Sequence, residues 1–191
     1  MRELRIHGRG GQGAVVASKL LAAALFLEGM WVQSFPAFGV ERRGAPVTAF
    51  LRVASERILL RCEVTEPNDL IVLDPTLIDA IDVTTGLKAG GSLLINSSQP
   101  PEHYGELAER FTVATVDASG IASRLGIGSK TQPIVNTALV GAFAAHSGLV
   151  RLDSVCAAIE EELLSRAAAN VQAARDAAAA VRSTTRLEVV S

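Results

Sequence analysis

The sequence predicts an α/β fold, a three-layer α/β/α single domain with a mixed, mostly parallel sheet and a helical C-terminal part. Strand-like runs alternate with helical patterns through the first two thirds of the chain, as in β-α-β units. A continuous apolar run at residues 69–74, closed by an acid, is typical of a strand buried in a parallel sheet. From Pro133 onward the pattern is helical. We therefore treat residues 1–191 as one domain, with helices at about 133–182 packed on the α/β core.

The first third of the chain supplies most of the predicted strand pairing. A short strand is expected at residues 4–6, and a helix at 12–28 has apolar positions at helical spacing and ends at Gly29. Three further strands are predicted at residues 30–35, 47–53 and 58–62. Because a four-residue turn and no helix separates the last two, we expect them to form an antiparallel hairpin.

The remaining elements continue the alternation and then become helical. Pro75 suits the first turn of a helix that runs to about residue 83, and Asp153 or Ser154 is the predicted cap of a helix that runs to about residue 164. The other predicted elements are strands at residues 69–74, 92–95 and 111–116 and helices at 120–125, 134–146 and 167–182.

Composition and charge exclude several classes of function. The 191 residues are 49% hydrophobic and carry a formal net charge of −2, which suits one good core and gives no basic field for binding nucleic acid. The two cysteines cannot hold an iron–sulfur cluster within this chain, since a cluster generally takes four thiolates. The three histidines show no metal-ligand spacing, so no metal site is predicted.

The N-terminus begins a strand at once, without the apolar region of a signal peptide. The apolar stretches are too short or too interrupted to span a bilayer. We therefore expect a cytoplasmic protein with neither a membrane nor a nucleic acid as partner.

A glycine-rich turn follows the first predicted strand directly. Strand, glycine turn and helix present backbone N–H groups and the positive end of the helix dipole, which suit a phosphate. Glycine allows the close approach and the positive φ angles that such turns often need. The arginine within the turn adds a guanidinium for a phosphate or carboxylate. The candidate binding residues here are Gly8, Arg9, Gly10, Gly11, Gln12 and Gly13.

The three glycines at 8, 10 and 13 match the spacing of the dinucleotide fingerprint. A nicotinamide-binding unit also needs an acid at the end of the second strand. No acid closes residues 30–35, and Glu28 still belongs to the helix. A tight strand-to-helix turn without a ligand is the alternative interpretation.

Two other stretches are candidates for a site. Arg42 and Arg43 stand in a glycine-flanked loop after the second strand, at the edge where α/β sheets place ligands, and suit phosphates or a partner's carboxylates. A solvated charged turn is the equally weighted alternative. Asn136 falls in the first turn of a predicted helix, where its amide either reaches a ligand or has a capping or packing role.

No catalytic residue is assigned in this chain. Neither a Ser/His/Asp arrangement nor a pair of carboxylates in one motif is present. Asp74 and Asp117 end predicted strands, and we interpret them as loop and cap residues.

The combination of the glycine turn with residues 35–47, which include the Glu41-Arg42-Arg43 run, resembles the gamma subunit of 2-oxoacid:ferredoxin oxidoreductases, of the pyruvate type. The resemblance covers nearly the whole chain. It extends to Asn136-Thr137 at the start of one predicted helix and to Asn170 and Ala173 in the last helix.

The resemblance implies a subunit of an enzyme that converts a 2-oxoacid and coenzyme A to acyl-CoA and CO2, with electrons passed to ferredoxin. It implies alpha, beta and delta partner subunits, which carry the thiamine diphosphate and the iron–sulfur clusters, so the isolated chain is expected to be inactive. This chain is expected to close the active site and contact coenzyme A as co-substrate, and the glycine turn, Arg42 and Arg43 are the candidate contacts.

Two other functions remain open at this point. One is a free-standing Rossmann-like domain that binds NAD(P) or a flavin at the glycine turn. The other is a regulatory or structural partner whose turn holds no ligand.

Overall fold

The computed structural model describes residues 1–37, 44–129 and 131–184. Its main sheet contains the strands β1 (Arg2–Arg9), β2 (Trp31–Pro36), β3 (Pro46–Ala54), β4 (Asp69–Val72), β5 (Ser92–Asn96), β6 (Thr112–Val116) and β9 (Arg182–Ser183). A separate two-stranded hairpin pairs β7 (Gly128–Ser129) with β8 (Gln132–Pro133). The α-helices are α1 (Ala14–Leu27), α2 (Thr76–Ala80), α3 (Gly105–Arg110), α4 (Ala118–Arg124), α5 (Asn136–Ser147), α6 (Leu152–Leu163) and α7 (Ala167–Ala180). Short 3-10 segments at Pro101–Tyr104 and Leu164–Arg166 precede α3 and α7.

The main sheet has the strand order β2-β3-β1-β4-β5-β6-β9. β1, β4, β5 and β6 are mutually parallel, whereas β3 lies antiparallel between β1 and β2 and β9 lies antiparallel to β6. The predicted mixed, mostly parallel sheet is therefore confirmed. Because the four central strands are parallel, their carboxyl ends lie at the same edge of the sheet.

Helices cover both faces of the sheet, as the three-layer prediction requires. One core cluster joins the sheet to α1 and the helices from α4 onward, and a smaller cluster joins β4, β5 and β6 to α2 and α3. β1 shows the expected alternation, since Leu4 and Ile6 belong to the larger cluster and Arg5 and His7 do not. In the helical layer α5 and α7 lie so close that a Cβ at Gly141 would overlap the backbone of Ala174.

The predicted hairpin between residues 47–53 and 58–62 is wrong. Residues 58–62 form no strand, and the antiparallel neighbours of β3 are β1 and β2. The physical reason is Arg52, which is 1% exposed. Its guanidinium donates hydrogen bonds to the carbonyl oxygens of Cys62 and Glu63 at 2.8 and 3.2 Å. The backbone carbonyl groups of the segment after β3 therefore bond to the Arg52 side chain and not to the backbone of a neighbouring strand.

The start of α6 also differs from prediction. α6 begins at Leu152, so Arg151 is its N-cap and Asp153 lies within its first turn. The backbone N–H of Arg151 donates to Glu28 Oε1 at 2.9 Å, so a contact from the end of α1 sets where α6 begins. Asp117 does cap α4, since its Oδ1 accepts from Gly120 N at 2.8 Å. α3 and the β7–β8 hairpin were not predicted.

Each helix in the described part of the chain is too short or too polar to cross a lipid bilayer.

Candidate functional site

A cleft of about 740 Å³ lies where the parallel strands end. The ends of β1, β4 and β5 and the start of α4 form its floor, and the β7–β8 hairpin forms a wall. This is the edge at which open α/β sheets bind ligands. The cleft is lined by Arg9, Gly10, Gly11, Gln12, Gly44, Leu73, Asp74, Pro75, Asn96, Ser119, Thr131, Gln132, Pro133 and Val135.

The glycine turn forms one end of this cleft. Its backbone is joined to the start of β3, because Gly10 N donates to Ala45 O at 2.9 Å and Gly44 N donates to Gly10 O at 3.1 Å. Gly11 has φ +97°, a conformation that glycine adopts without strain. Among the residues that the structure describes, the Gly11 amide has no acceptor, so it remains a free donor beside the cleft. Gly8 is the last glycine of β1 itself and pairs with Val47.

Gly13 meets Asn136 at the N-terminus of α5. A Cβ at Gly13 would lie 2.5 Å from Asn136 Nδ2, and Gly13 has φ +86°. Asn136 is 5% exposed, and its Oδ1 accepts from Thr137 N at 2.8 Å. The absence of a side chain at Gly13 thus lets the start of α5 pack on the start of α1. Asn136 has the packing role that was one of its two predicted alternatives, and ligand contact by Asn136 stays a prediction.

The polar residues next to Asn136 join helices to each other. Thr137 Oγ1 donates to Asn170 Oδ1 at 2.9 Å, and Asn170 Nδ2 donates to Arg166 O at 2.8 Å. Asn170 is 6% exposed and Ala173 is fully buried. The C-terminal residues to which the family resemblance extends therefore hold α5 against α7.

Arg9 forms an ion pair within the chain. Its Nε lies 3.0 Å from Asp74 Oδ2, and its two terminal nitrogens donate to Thr76 Oγ1 at 2.9 Å and to Gly44 O at 3.2 Å. β1 and β4 are neighbouring parallel strands, so the residues that follow them meet at the cleft. The guanidinium that we predicted to suit a phosphate or carboxylate therefore pairs with a carboxylate of this chain, although two of its five N–H groups have no acceptor among the described residues.

Asp74 is saturated by four donors. Gln12 Nε2 and Arg9 Nε donate to Oδ2, while the backbone N–H and the hydroxyl of Thr76 donate to Oδ1. Burial opposes ionisation of this carboxyl, but the hydrogen bonds from Thr76 and Gln12 and the charge of Arg9 outweigh it and lower the pKa of Asp74. Asp74 is therefore an ionised structural acceptor with more than the loop role that was predicted for it.

Gln12 also orders the turn from within. Its Oε1 accepts from Arg9 N at 2.7 Å, and its backbone N–H donates to Arg9 O at 3.0 Å. One side chain thus closes the turn and reaches the end of β4.

Asn96 and Ser119 are cleft residues that our sequence reasoning missed. Asn96 ends β5, is 7% exposed, and donates through Nδ2 to Leu73 O at 2.9 Å and to Ser119 Oγ at 3.0 Å. Its Oδ1 accepts from Ser119 N at 3.2 Å. The signal was present in the sequence, because a polar residue that ends a buried parallel strand falls at the ligand edge of the sheet.

Arg42 and Arg43 lie outside the described residues. The residues on either side of the gap are placed. Ala37 N donates to Thr48 O at 2.8 Å, and Gly44 lines the cleft and bonds to Gly10. The chain that follows Arg43 therefore starts at the cleft rim.

The charged groups of the described cleft are Arg9 and Asp74, and they are paired. Within the described residues no cluster of three or more His, Cys, Asp or Glu side chains is arranged to hold a metal ion. The arrangement suits binding of a polar ligand by backbone amides, a serine hydroxyl and a nearly neutral floor. Among the residues that the structure describes, the NAD(P) alternative gains no ribose acceptor, since β2 ends at Pro36 and Asp74 has no lone pair to spare.

The comparisons with known proteins agree with this fold. The sequence model of the pyruvate ferredoxin/flavodoxin oxidoreductase family matches residues 3–180. The common gamma subunit of the pyruvate/ketoisovalerate oxidoreductases of Thermococcus kodakarensis is 51% identical over 164 residues, which cover 84% of this chain and 86% of that subunit.

Solved structures show the same architecture. The pyruvate oxidoreductase subunit PORC of Thermotoga maritima superposes with a TM-score of 0.80 at 32% identity and covers 96% of this chain and 98% of its own. The 2-oxoglutarate:ferredoxin oxidoreductase of Magnetococcus marinus, solved with 2-oxoglutarate, coenzyme A and succinyl-CoA bound, shares the fold at a TM-score of 0.72 and 17% identity, over 93% of this chain and 30% of that one. This chain therefore belongs to the pyruvate ferredoxin/flavodoxin oxidoreductase family, as the gamma subunit of an oxidoreductase for pyruvate or a related 2-oxoacid.

Proposed function

We propose that this chain serves a cytoplasmic pyruvate:ferredoxin oxidoreductase by holding part of coenzyme A in the cleft and by closing the active site that its alpha, beta and delta sister subunits build. The complex would convert the 2-oxoacid and coenzyme A to acyl-CoA and CO2 and pass two electrons to ferredoxin. Thiamine diphosphate and the iron–sulfur clusters, which supply the carbanion chemistry and the electron path, would belong to the sister subunits.

The cleft fits the polar parts of coenzyme A. The Gly11 amide and two N–H groups of Arg9, which have no acceptor within the described part of the chain, are donors for phosphate oxygens. The start of α1 follows directly, and its dipole favours an anion. Leu73 and Pro75 offer apolar surface beside these donors.

The charge balance supports a second part of the site in the segment that contains Arg42 and Arg43, which we call the arginine segment. The Arg9–Asp74 pair carries no net charge, whereas the phosphates of coenzyme A carry several negative charges. The observation that carries the proposal is Gly44, which lines the cleft, bonds to Gly10 at 3.1 Å and is the residue after Arg43. Arg43 directly precedes Gly44 in the sequence, and we propose that Arg42 and Arg43 supply the missing positive charge.

The test replaces both arginines with alanine in the assembled enzyme. Two charge-assisted hydrogen bonds of about 1.5–3 kcal/mol each would be lost, so the Kd for coenzyme A from calorimetry and its KM should rise at least tenfold. The free energy of unfolding of the purified chain should change by no more than about 0.5 kcal/mol, as at surface positions. Size-exclusion chromatography checks assembly.

A matched control is Arg57→Ala with Arg61→Ala, which removes the same charge from exposed positions on the segment after β3. This control should leave binding of coenzyme A unchanged. If the Arg42/Arg43 variant assembles and keeps its Kd for coenzyme A and its turnover, the segment is a solvated turn and the proposal is wrong.

A further inference from the structure

The strongest unassigned feature is the Asn96–Ser119 pair on the cleft floor. Asn96 ends β5 and Ser119 lies in the first turn of α4, and both line the cleft. Ser119 is partly exposed, whereas Asn96 is more than nine-tenths buried. Asn96 at the end of β5 stands two strands away from Arg9 at the end of β1, a separation of about 10 Å at the usual strand spacing.

Two backbone groups determine the orientation of the Asn96 amide. Leu73 O can only accept, so the atom 2.9 Å from it is the Nδ2 donor. Ser119 N can only donate, so the atom 3.2 Å from it is the Oδ1 acceptor. The two constraints agree, and no flipped amide satisfies either of them.

The orientation of Asn96 determines what the Ser119 hydroxyl can do. Asn96 Nδ2 donates to Ser119 Oγ at 3.0 Å, so Oγ is the acceptor in that bond and keeps its own proton. Within the described part of the chain Ser119 Oγ has no other partner. A serine on the cleft surface therefore presents an oriented O–H donor to a ligand.

The surroundings of this donor favour an uncharged acceptor. Its nearest charged neighbours on the described cleft surface, Arg9 and Asp74, are paired with each other at the β1–β4 end. Leu73, Pro133 and Val135 add apolar surface to the lining. Binding of a phosphate requires positive charge nearby. Binding of an amide carbonyl requires one neutral hydrogen-bond donor, with apolar surface beside it for the methylene groups that flank the amide.

We infer that Ser119 donates a hydrogen bond to an amide carbonyl of the pantetheine arm of coenzyme A, and that Asn96 is the positioning residue for this hydroxyl. The inference rests on the proposed function and deepens it by orienting the ligand. The phosphates lie toward the Gly10–Gly11–Gly44 rim, and the pantetheine arm runs across the ends of β4 and β5 toward α4.

The experiment titrates coenzyme A and pantetheine into the assembled enzyme by calorimetry, without 2-oxoacid. Ser119→Ala should raise the Kd for coenzyme A about three- to tenfold, as expected for one neutral hydrogen bond. The Kd for pantetheine should rise by the same factor, because pantetheine keeps the arm and lacks the phosphates. Ser123→Ala, on the exposed side of the same helix, is the matched control and should change neither value.

Asn96→Asp tests the positioning role. The new carboxylate cannot donate to Ser119, so the Ser119 hydroxyl turns back and donates to the carboxylate. The Kd for coenzyme A should then rise as much as in Ser119→Ala, and the double variant should show no further rise. A residue with only a structural role would add its effect to that of Ser119→Ala.

The outcomes separate this inference from the proposed function. If the Arg42/Arg43 variant binds coenzyme A more weakly and Ser119→Ala does not, the proposed function stands and the inference on Ser119 is wrong. The inference is also overturned if Ser119→Ala weakens the binding of coenzyme A but not that of pantetheine. It is overturned as well if the wild-type enzyme shows no saturable binding of pantetheine. If neither variant alters the affinity for coenzyme A, the cleft does not bind this ligand and both proposals fall.

Discussion

Gly13→Ala tests how the cleft is built, because this glycine is where α1 and α5 meet. A Cβ at Gly13 would lie 2.5 Å from Asn136 Nδ2, closer than such contacts occur in real structures. The residue also has φ +86°, which costs a non-glycine residue about 1–2 kcal/mol. Asn136 is buried, so its amide cannot move aside into solvent.

The expected loss of stability is the sum of two effects. Backbone strain contributes about 1–2 kcal/mol, and displacement of the Asn136 amide from Thr137 N adds about 1–3 kcal/mol for a buried group left unpaired. We expect the free energy of unfolding to fall by about 2–5 kcal/mol in urea titrations of the purified chain.

Gly11→Ala is the matched control. Gly11 has φ +97° and an added Cβ there would meet no atom within 4 Å, so only the backbone strain applies. Gly11→Ala should therefore cost about 1–2 kcal/mol. In addition, Asn136→Ala should make Gly13→Ala less costly than it is alone, since the obstructing amide is removed. Equal costs for the two glycine substitutions, or strict additivity of Gly13→Ala with Asn136→Ala, would refute the packing argument.

Two further predictions concern buried polar groups on the face of β1 and β3 away from α1. Burial, and then the charge of Arg5, lower the pKa of His7 to about 4 from 6.5, so its contribution of about 3 kcal/mol is complete above pH 6.5 and is lost as the pH falls toward 4. Urea titrations at pH 7 and pH 4.5 should show a smaller acid loss for His7→Gln than for the native chain, and equal losses would contradict the assignment. Arg52→Met should destabilise the chain by about 3–5 kcal/mol, because it leaves Glu3 and the two carbonyl groups without their donor. It should also speed tryptic cleavage at Arg57 and Arg61, and an unchanged cleavage rate would show that Arg52 does not anchor this segment.

The regular alternation of elements was predictable because local patterns determine it. The apolar run before Asp74 and the helical spacing after Pro133 both correspond to elements of the structure. The absence of a strand at residues 58–62 was not predictable in this way. The apolar residues there suggest a strand, but Leu59 is 76% exposed, and the segment is held by Arg52. A buried arginine that binds a segment in place of a neighbouring strand produces no periodic pattern in the sequence of that segment.

The candidate site was predictable in its location and less so in its contacts. The glycine turn does lie at the ligand edge, as its position after a strand implies. Asn136 was identified as a residue of interest, but its contact with Gly13 joins positions more than a hundred residues apart. Asn96 could have been predicted from the rule that residues at strand ends bind ligands. Its proposed role, however, depends on contact with Ser119, which follows the neighbouring strand and lies 3.0 Å away only in the folded structure.

The pairing of Arg9 with Asp74 changes what the glycine turn can contribute. From the sequence alone, Arg9 has a free charge for an anion, because Asp74 is far away in the chain. The parallel pairing of β1 with β4 brings the two together and cancels most of that charge. The described cleft therefore offers shape, backbone amides and neutral hydrogen bonds, and a polyanionic ligand needs its charge matched from elsewhere. Gly44, the residue after Arg43, lies at the same rim, and we propose that charge and shape come from different parts of one site, which the substitutions at Arg42/Arg43 and at Ser119 separate.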